Sequence, residues 1–216
     1  MDTANSPKIL MAEKCVGEME KYLSNHREIK RSGILKEIAS KIMEIKYSYA
    51  EVEDLKEYLE DLRRMCLSLL NLLGGNSWAV KLREMKYSRL AISSIKFCLN
   101  ILYNLESRLR LPDDPEFAVD IRIGEIESVM KHPNADNLRI CNVNVGKVIT
   151  VVTNIPDVKE GEKLPVALLP PAEFFGEISE GMFLSHAVKD GNPGEMPVLT
   201  EEERKNARKE VLAYLR

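Results

Sequence analysis

The period of the hydrophobic pattern changes once along this chain, near Pro112. Before that point apolar residues recur every three to four positions, which places them on one stripe of a helix. After it they recur every two positions with local phase shifts, as in bent strands. Turn-forming residues divide at the same place, since residues 1–112 hold 4 of the 11 glycines and 2 of the 10 prolines. Few long elements are therefore expected first and many short ones later. One uniform architecture is excluded, and 44% apolar content across 216 residues excludes disorder.

In the first segment Ser6-Pro7 has the form of a helix start, because proline at the first helical position lacks only an N–H that would be unpaired anyway. Val16, Met19, Leu23, His26 and Ile29 form one stripe, and after a break at Ser32-Gly33, Ile34, Ile38, Ile42 and Ile45 form another. Ser48 with Glu51 matches a capping box, which predicts a third helix starting there and ending at Gly74-Gly75. Asn76 is expected to cap a fourth helix running from about Ser77 to Arg110, roughly 50 Å at 1.5 Å per residue. Pro112 and Asp113-Asp114-Pro115 mark a linker. The pattern predicts an antiparallel helical bundle over 1–112, with no Glu-x-x-His metal site and with docking or dimerisation as its alternative role.

In the second segment Val119, Ile121 and Ile123 alternate, and Gly124 precedes a phase change to Ile126 and Val129, the mark of a bent strand. Leu138–Val145 and Val148–Thr153 read as a hairpin around Gly146-Lys147. Leu164–Leu169 and Met182–Ala187 supply a fourth and a fifth strand, the last reached through a loop over Pro170–Gly176. Five short bent strands in about 70 residues match the size of an OB-fold barrel. Thr200 with Glu203 opens a terminal helix. The expected fold is α+β multidomain: a bundle over 1–112, an OB-fold barrel over 113–199, and a helix over 200–216 packed on barrel or bundle.

Two motifs carry a resemblance. The stretch His132-Pro133-Asn134-Ala135-Asp136-Asn137-Leu138, preceded by Ile121-Arg122-Ile123-Gly124 and followed about 40 residues later by Ile178-Ser179-Glu180-Gly181-Met182, resembles the EMAP II-like tRNA-binding domain. That domain occurs in methionyl-tRNA synthetases, the phenylalanyl-tRNA synthetase β chain and free-standing proteins. The free-standing archaeal type with a helical N-terminal extension is the nearest likeness. The resemblance covers about residues 117–187 and implies tRNA as ligand, with an aminoacyl-tRNA synthetase as a further partner. It points to Lys131 and Arg139 as phosphate contacts, Asn134 and Ser179 as hydrogen-bonding groups, and Met182 as an apolar contact. Glu173-Phe174-Phe175 stands where relatives often carry basic residues. Those phenylalanines either stack on bases or on a partner, or place one ring in the core and the other against the C-terminal helix or the bundle.

Charge complicates the picture. The net −3 resolves into 19 basic against 15 acidic residues over 1–112 and 12 against 19 over 113–216, so the segment with the tRNA-binding likeness is the acidic one. RNA affinity then depends on basic residues being gathered on one face, with Arg122, Lys131, Arg139, Lys147 and Lys163 as candidates. Lys81, Arg83, Lys86, Arg89 and Lys96 offer either a second RNA-facing surface or a solvated helix face. No phosphate-cradling loop, nucleophile elbow or metal-ligand cluster is present, so no enzyme, metal or cofactor is expected. Four widely spaced cysteines read as buried thiols. No apolar run is long enough to span a membrane and no secretion signal is evident, so a cytoplasmic protein is expected. The alternative is an assembly module, in which the bundle forms a homodimer or docks a synthetase and the barrel binds RNA weakly or binds protein.

Overall fold

Helix α1 (Pro7–Leu23) starts at Ser6 and buries Ile9, Met11, Ala12, Cys15, Val16, Met19 and Leu23 in the computed structural model, which describes residues 2–216. Then come α2 (Arg27–Ser32), α3 (Ile34–Lys46), α4 (Lys56–Leu73), α5 (Trp78–Glu84), α6 (Arg89–Tyr103) and α7 (Leu105–Leu109). These helices belong to a unit that ends at Ala118. A second unit spans Val119–Tyr214. In the first, α1 packs on α3 and α6, and α4 packs on α3 and α6, so four apolar stripes meet in one core. All four cysteines are free and buried. Burial pushes the Cys66 thiol up to about 12 and the Cys141 thiol up to about 11, which keeps both as inert packing groups.

Four helix boundaries differ from expectation, each for a local reason. The first stripe is cut after Leu23, where His26 caps α2 by accepting from Ile29 N. The capping box expected at Ser48 does not form, because its hydroxyl donates to Ile45 O (2.7 Å) and closes α3 instead; α4 begins only at Lys56. Asn76 is not a cap. It sits in a 3-10 turn (Gly75–Ser77) before α5. The long fourth helix is three pieces. Lys86 adopts φ 64, and the bonds Lys86 N–H to Arg83 O and Tyr87 N–H to Leu82 O form a Schellman end to α5. Ser88 then caps α6 by accepting from Ala91 N. At the next break, Asn104 donates to Asn100 and Arg108 donates to Asn100 O and Ile101 O.

The second unit is a five-stranded antiparallel sheet curled into a half-barrel, with the strand order Val148–Thr153, Arg139–Asn144, Ile121–Lys131, Lys163–Ala167, Met182–Phe183. Its long strand β1 (Ile121–Lys131) serves two neighbours. Residues 121–125 pair with β4 (Lys163–Ala167), and residues 125–131 pair with β2 (Arg139–Asn144), which in turn pairs with β3 (Val148–Thr153). The strand bends at a register shift between Ile126 and Ser128. Gly124 permits this curl, since a Cβ there would lie 2.6 Å from both Val143 Cγ1 and Val166 Cγ2. Cys141, Val143, Val151, Leu164 and Val166 fill the interior.

The segment expected as a loop over Pro170–Gly176 folds in part as a second hairpin, β5 (Ala172–Phe174) with β6 (Glu177–Ser179). The expected fifth strand is only β7 (Met182–Phe183), because Ser185 Oγ turns away to donate to Glu203 Oε1 at 2.6 Å. Helix α8 (Glu201–Leu215) opens with the full capping box between Thr200 and Glu203, and its Ala207 packs against Ile121, Ala167 and Leu184.

Glu203 is fully buried and anchors this helix by accepting from Ser185, from Lys189 Nζ at 2.8 Å and from Thr200 N at 2.8 Å. Burial alone would raise its carboxyl, but the Lys189, Ser185 and Thr200 contacts outweigh it and hold the group below its usual range. A depressed carboxyl stabilises the fold at pH values above its unfolded pKa, and that contribution is lost as pH falls through the lower folded one. Glu203→Ala is expected to cost about 2 to 3 kcal/mol at neutral pH by taking from the half-buried Lys189 ammonium, the Ser185 hydroxyl and Thr200 N their shared acceptor. Glu203→Gln should flatten the acid limb of stability, checked by thermal melts between pH 3 and 7.

Candidate nucleic-acid interface

Loop 132–138 joins β1 to β2 and is fastened to the tip of the β5–β6 hairpin at two points. His132 Nε2 lies 2.9 Å from Phe174 O, and Asn134 Nδ2 donates to Phe175 O at 3.0 Å. Because His132 Nδ1 accepts from Asn134 N at 3.1 Å, the proton on the ring sits on Nε2 and is donated to the Phe174 carbonyl. His132 is 4% exposed, so this strap is part of the fold. It explains why histidine precedes proline here: Pro133 keeps residue 132 extended, and the ring then reaches across to the hairpin.

The tip itself is unusual. Phe175 (φ 50) and Gly176 (φ 97) are the two central residues of the turn, a left-handed pair of the type I′ kind. Asparagine or glycine is the cheap choice at the first position, yet a phenylalanine stands there 66% exposed, with Phe174 beside it at 42%. Phe175 meets the His132 ring edge-on with centroids 6.2 Å apart, and Phe174 lines a cleft together with Tyr214 of α8. The expectation of one phenylalanine in the core is corrected, since both are exposed. Phe175→Asn is expected to leave thermal stability unchanged or raise it by a few tenths of a kcal/mol. It should weaken RNA binding by about 1 to 3 kcal/mol if a base stacks there, read by melts and titrations on the same sample.

Lys131 and Arg139 are register partners where the strands enter the loop, so two cations face each other directly across the ladder. Neither has a carboxylate partner among the described residues; Arg139 donates instead to the Asp136 and Leu138 carbonyls (3.2 and 3.1 Å). Like charges directly opposite destabilise a strand pair, and an anion between them would relieve that cost. The five barrel cations do not gather on one face. Arg122 pairs with Asp120 and Lys163 donates to Gly191 O, both toward the far end of β1, and Lys147 lies in the turn at the far end of β2.

The remaining two expected site residues line a neighbouring cleft of about 570 Å³, walled by Leu138, Val152, Phe174, Ser179, Met182 and Tyr214, with Glu210 as the one charged group. Met182 is half-buried there and packs on the Ile121–Leu184 cluster. Ser179 is 4% exposed, and its hydroxyl donates to Gly181 O (2.8 Å) and accepts from Val152 N (3.0 Å), so it ties the end of β6 to β3. Lys131, Asn134 and Arg139 lie outside the cleft lining, around the loop. His132, Phe174 and Phe175, which the sequence reading did not place among the ligand contacts proper, are the residues that join this loop to the hairpin tip.

Comparison with known proteins gives this arrangement a class. A family model described as "Putative tRNA binding domain" matches residues 121–207, which are the half-barrel with part of α8. A second, described as "Alpha helical domain", matches residues 1–112, slightly more than half of the chain. The chain belongs to that alpha helical domain family and carries the tRNA-binding-type domain C-terminal to it. It is 37% identical over 92 residues to the "Putative tRNA-binding protein YtpR" of Bacillus subtilis, which is 38% of this chain and 44% of that protein. It is 43% identical over 72 residues to the phenylalanine–tRNA ligase beta subunit of Moorella thermoacetica, 29% of this chain and 9% of that one. The corresponding subunit of Neisseria meningitidis serogroup B is 40% identical over 83 residues, 33% of this chain and 10% of that one. The chain thus spans less than half the length of these curated relatives. No helix among the described residues is long and apolar enough to cross a membrane.

Proposed function

We propose that this protein is a non-catalytic, structure-selective tRNA-binding protein that serves as an accessory factor to aminoacyl-tRNA synthetases. The observation that carries the reading is the meeting of an unpaired like-charge pair, Lys131 and Arg139, with an outward aromatic tip, Phe174 and Phe175, through one strapped loop. Cations position a phosphate backbone and an aromatic tip stacks on an unpaired base, so the surface suits a folded RNA read by shape. Asn134 keeps its side-chain carbonyl for a ligand while its amide holds the hairpin. Met182 supplies an apolar contact from the cleft. The synthetase role is supported by the likeness of this domain to the phenylalanine–tRNA ligase subunits.

The test is a gel shift of the full chain with total tRNA at about 50 mM salt, where counterion release most favours binding, beside an unstructured RNA of equal length. Preferential retention of tRNA is expected; absence of any shift overturns the reading. The acidic balance of the second segment favours one alternative, a barrel that binds protein with little RNA affinity, and a synthetase retained on the chain without tRNA would support it.

A further inference from the structure

Several cations of the helical unit have carboxylate partners: Lys41 with Glu44 and Asp61, Lys46 with Glu13, Arg63 with Glu106, Arg110 with Glu53. Another group stands apart. Arg27, Lys30 and Arg31 of α2, and Lys81, Arg83 and Lys86 of α5 and its Schellman end, are all exposed, and none lies within ion-pair distance of a carboxylate among the described residues.

These six share one end of the bundle. Helices α3 and α4 pack together and are joined by the short segment 47–55, so the start of α3 lies beside the end of α4. Helix α2 directly precedes α3, α5 directly follows α4, and both pack against α4. The joining segment, with Glu51, Glu53 and Asp54, marks the opposite end. Glu28, Glu37 and Glu84 are exposed at this end too, so the six unpaired cations outnumber the carboxylates there. Gathering like charges lowers stability through mutual repulsion, and packing gives no reason for it. Val80 and Met85, 54% and 51% exposed beside Lys81, Arg83 and Lys86, add apolar contact area to the same corner.

We propose that this end of the helical unit is a second RNA-binding surface, in which Arg27, Lys30, Arg31, Lys81, Arg83 and Lys86 contact phosphates. The inference rests on the tRNA reading above, and it extends that reading to the unit whose sequence carries no nucleic-acid motif. Two phosphate surfaces on one chain raise affinity through effective concentration without either being strong alone. This offsets the acidic balance of the barrel segment.

The experiment compares the full chain with its K81Q/R83Q/K86Q variant in titrations with total tRNA from 50 to 200 mM salt. Each lost phosphate contact should make the slope of log K against log salt shallower by about 0.7 to 0.9, so a change of about 2 is expected, with affinity at 50 mM salt lower by about tenfold or more. An R27Q/K30Q/R31Q variant provides the same readout from the other helix and guards against a local folding defect at the α5 corner. Native affinity and slope in both variants overturn the inference, even if self-association changes, which would make this end a protein contact. Failure of the unsubstituted chain to bind tRNA is a separate result that overturns the parent reading before any variant is compared.

Discussion

Lys131→Glu is expected to weaken tRNA binding by roughly tenfold to a hundredfold while leaving the fold as stable or more so. The first half follows from removing one charge-assisted contact to a phosphate, about 1.5 to 3 kcal/mol. The second follows from the register. Lys131 faces Arg139 directly across the β1–β2 ladder, so glutamate there turns a repulsive pair into an attractive one, a gain of up to about 1 kcal/mol. Opposite signs for affinity and stability separate a binding residue from a structural one. Titration by fluorescence anisotropy beside thermal melts reads both. A loss of affinity that tracks a lower melting temperature would show the residue acting through the fold.

Gly181→Ala is expected to be among the most destabilising single substitutions in the chain. A Cβ on this residue would lie 2.6 Å from the carbonyl oxygen of Ala167 and 3.3 Å from Val166 Cγ1. Ala167 and Val166 are the residues of β4 that pair with Met182 and Phe183, so the clash falls on backbone that cannot move without opening the β4–β7 edge. The carbonyl of Gly181 also accepts from Ser179, whose hydroxyl holds Val152 N, and the strain therefore reaches β3. A cost of about 3 kcal/mol is expected. For a unit of this size that lowers its melting transition by on the order of 10 to 20 °C. Gly17→Ala is the control: its Cβ would meet nothing within 4 Å in the middle of α1, and about 0.5 to 1 kcal/mol of stabilisation is expected. Calorimetry on both variants checks the pair.

The phase change after Gly124, the capping box at Thr200 and strands β1 to β4 were legible because each depends on residues close in sequence. The Ser48–Glu51 box matched the same pattern and misled, since a serine hydroxyl near a helix C-terminus bonds the preceding carbonyl as readily as it caps the next helix. The break of the long fourth helix was hidden for a related reason: a lysine at φ 64 occupies the place where sequence patterns look for glycine. The same holds for the hairpin at Phe175-Gly176, where phenylalanine is a poor turn former and conceals the turn it makes.

In the candidate site, both motifs marked loops but not the partners that their residues find in the fold. Whether a hydroxyl faces solvent or the opposite strand depends on long-range partners, and Ser179 finds Val152 only after the barrel closes. His132 was legible as a loop-shaping residue, while its partner, the carbonyl of Phe174 42 positions away, was not. The cations were the reverse case. Lys131 and Arg139 were visible as individual charges, and only the register showed that they face each other.

Ultraviolet crosslinking of the full chain to total tRNA, with the crosslinked peptides identified by mass spectrometry, locates the RNA on the barrel. Crosslinks are expected within residues 130–139 and at Phe174–Phe175, lost in competition with unlabelled tRNA. Crosslinks confined to other parts of the half-barrel, or none under conditions where tRNA is retained, would contradict that placement.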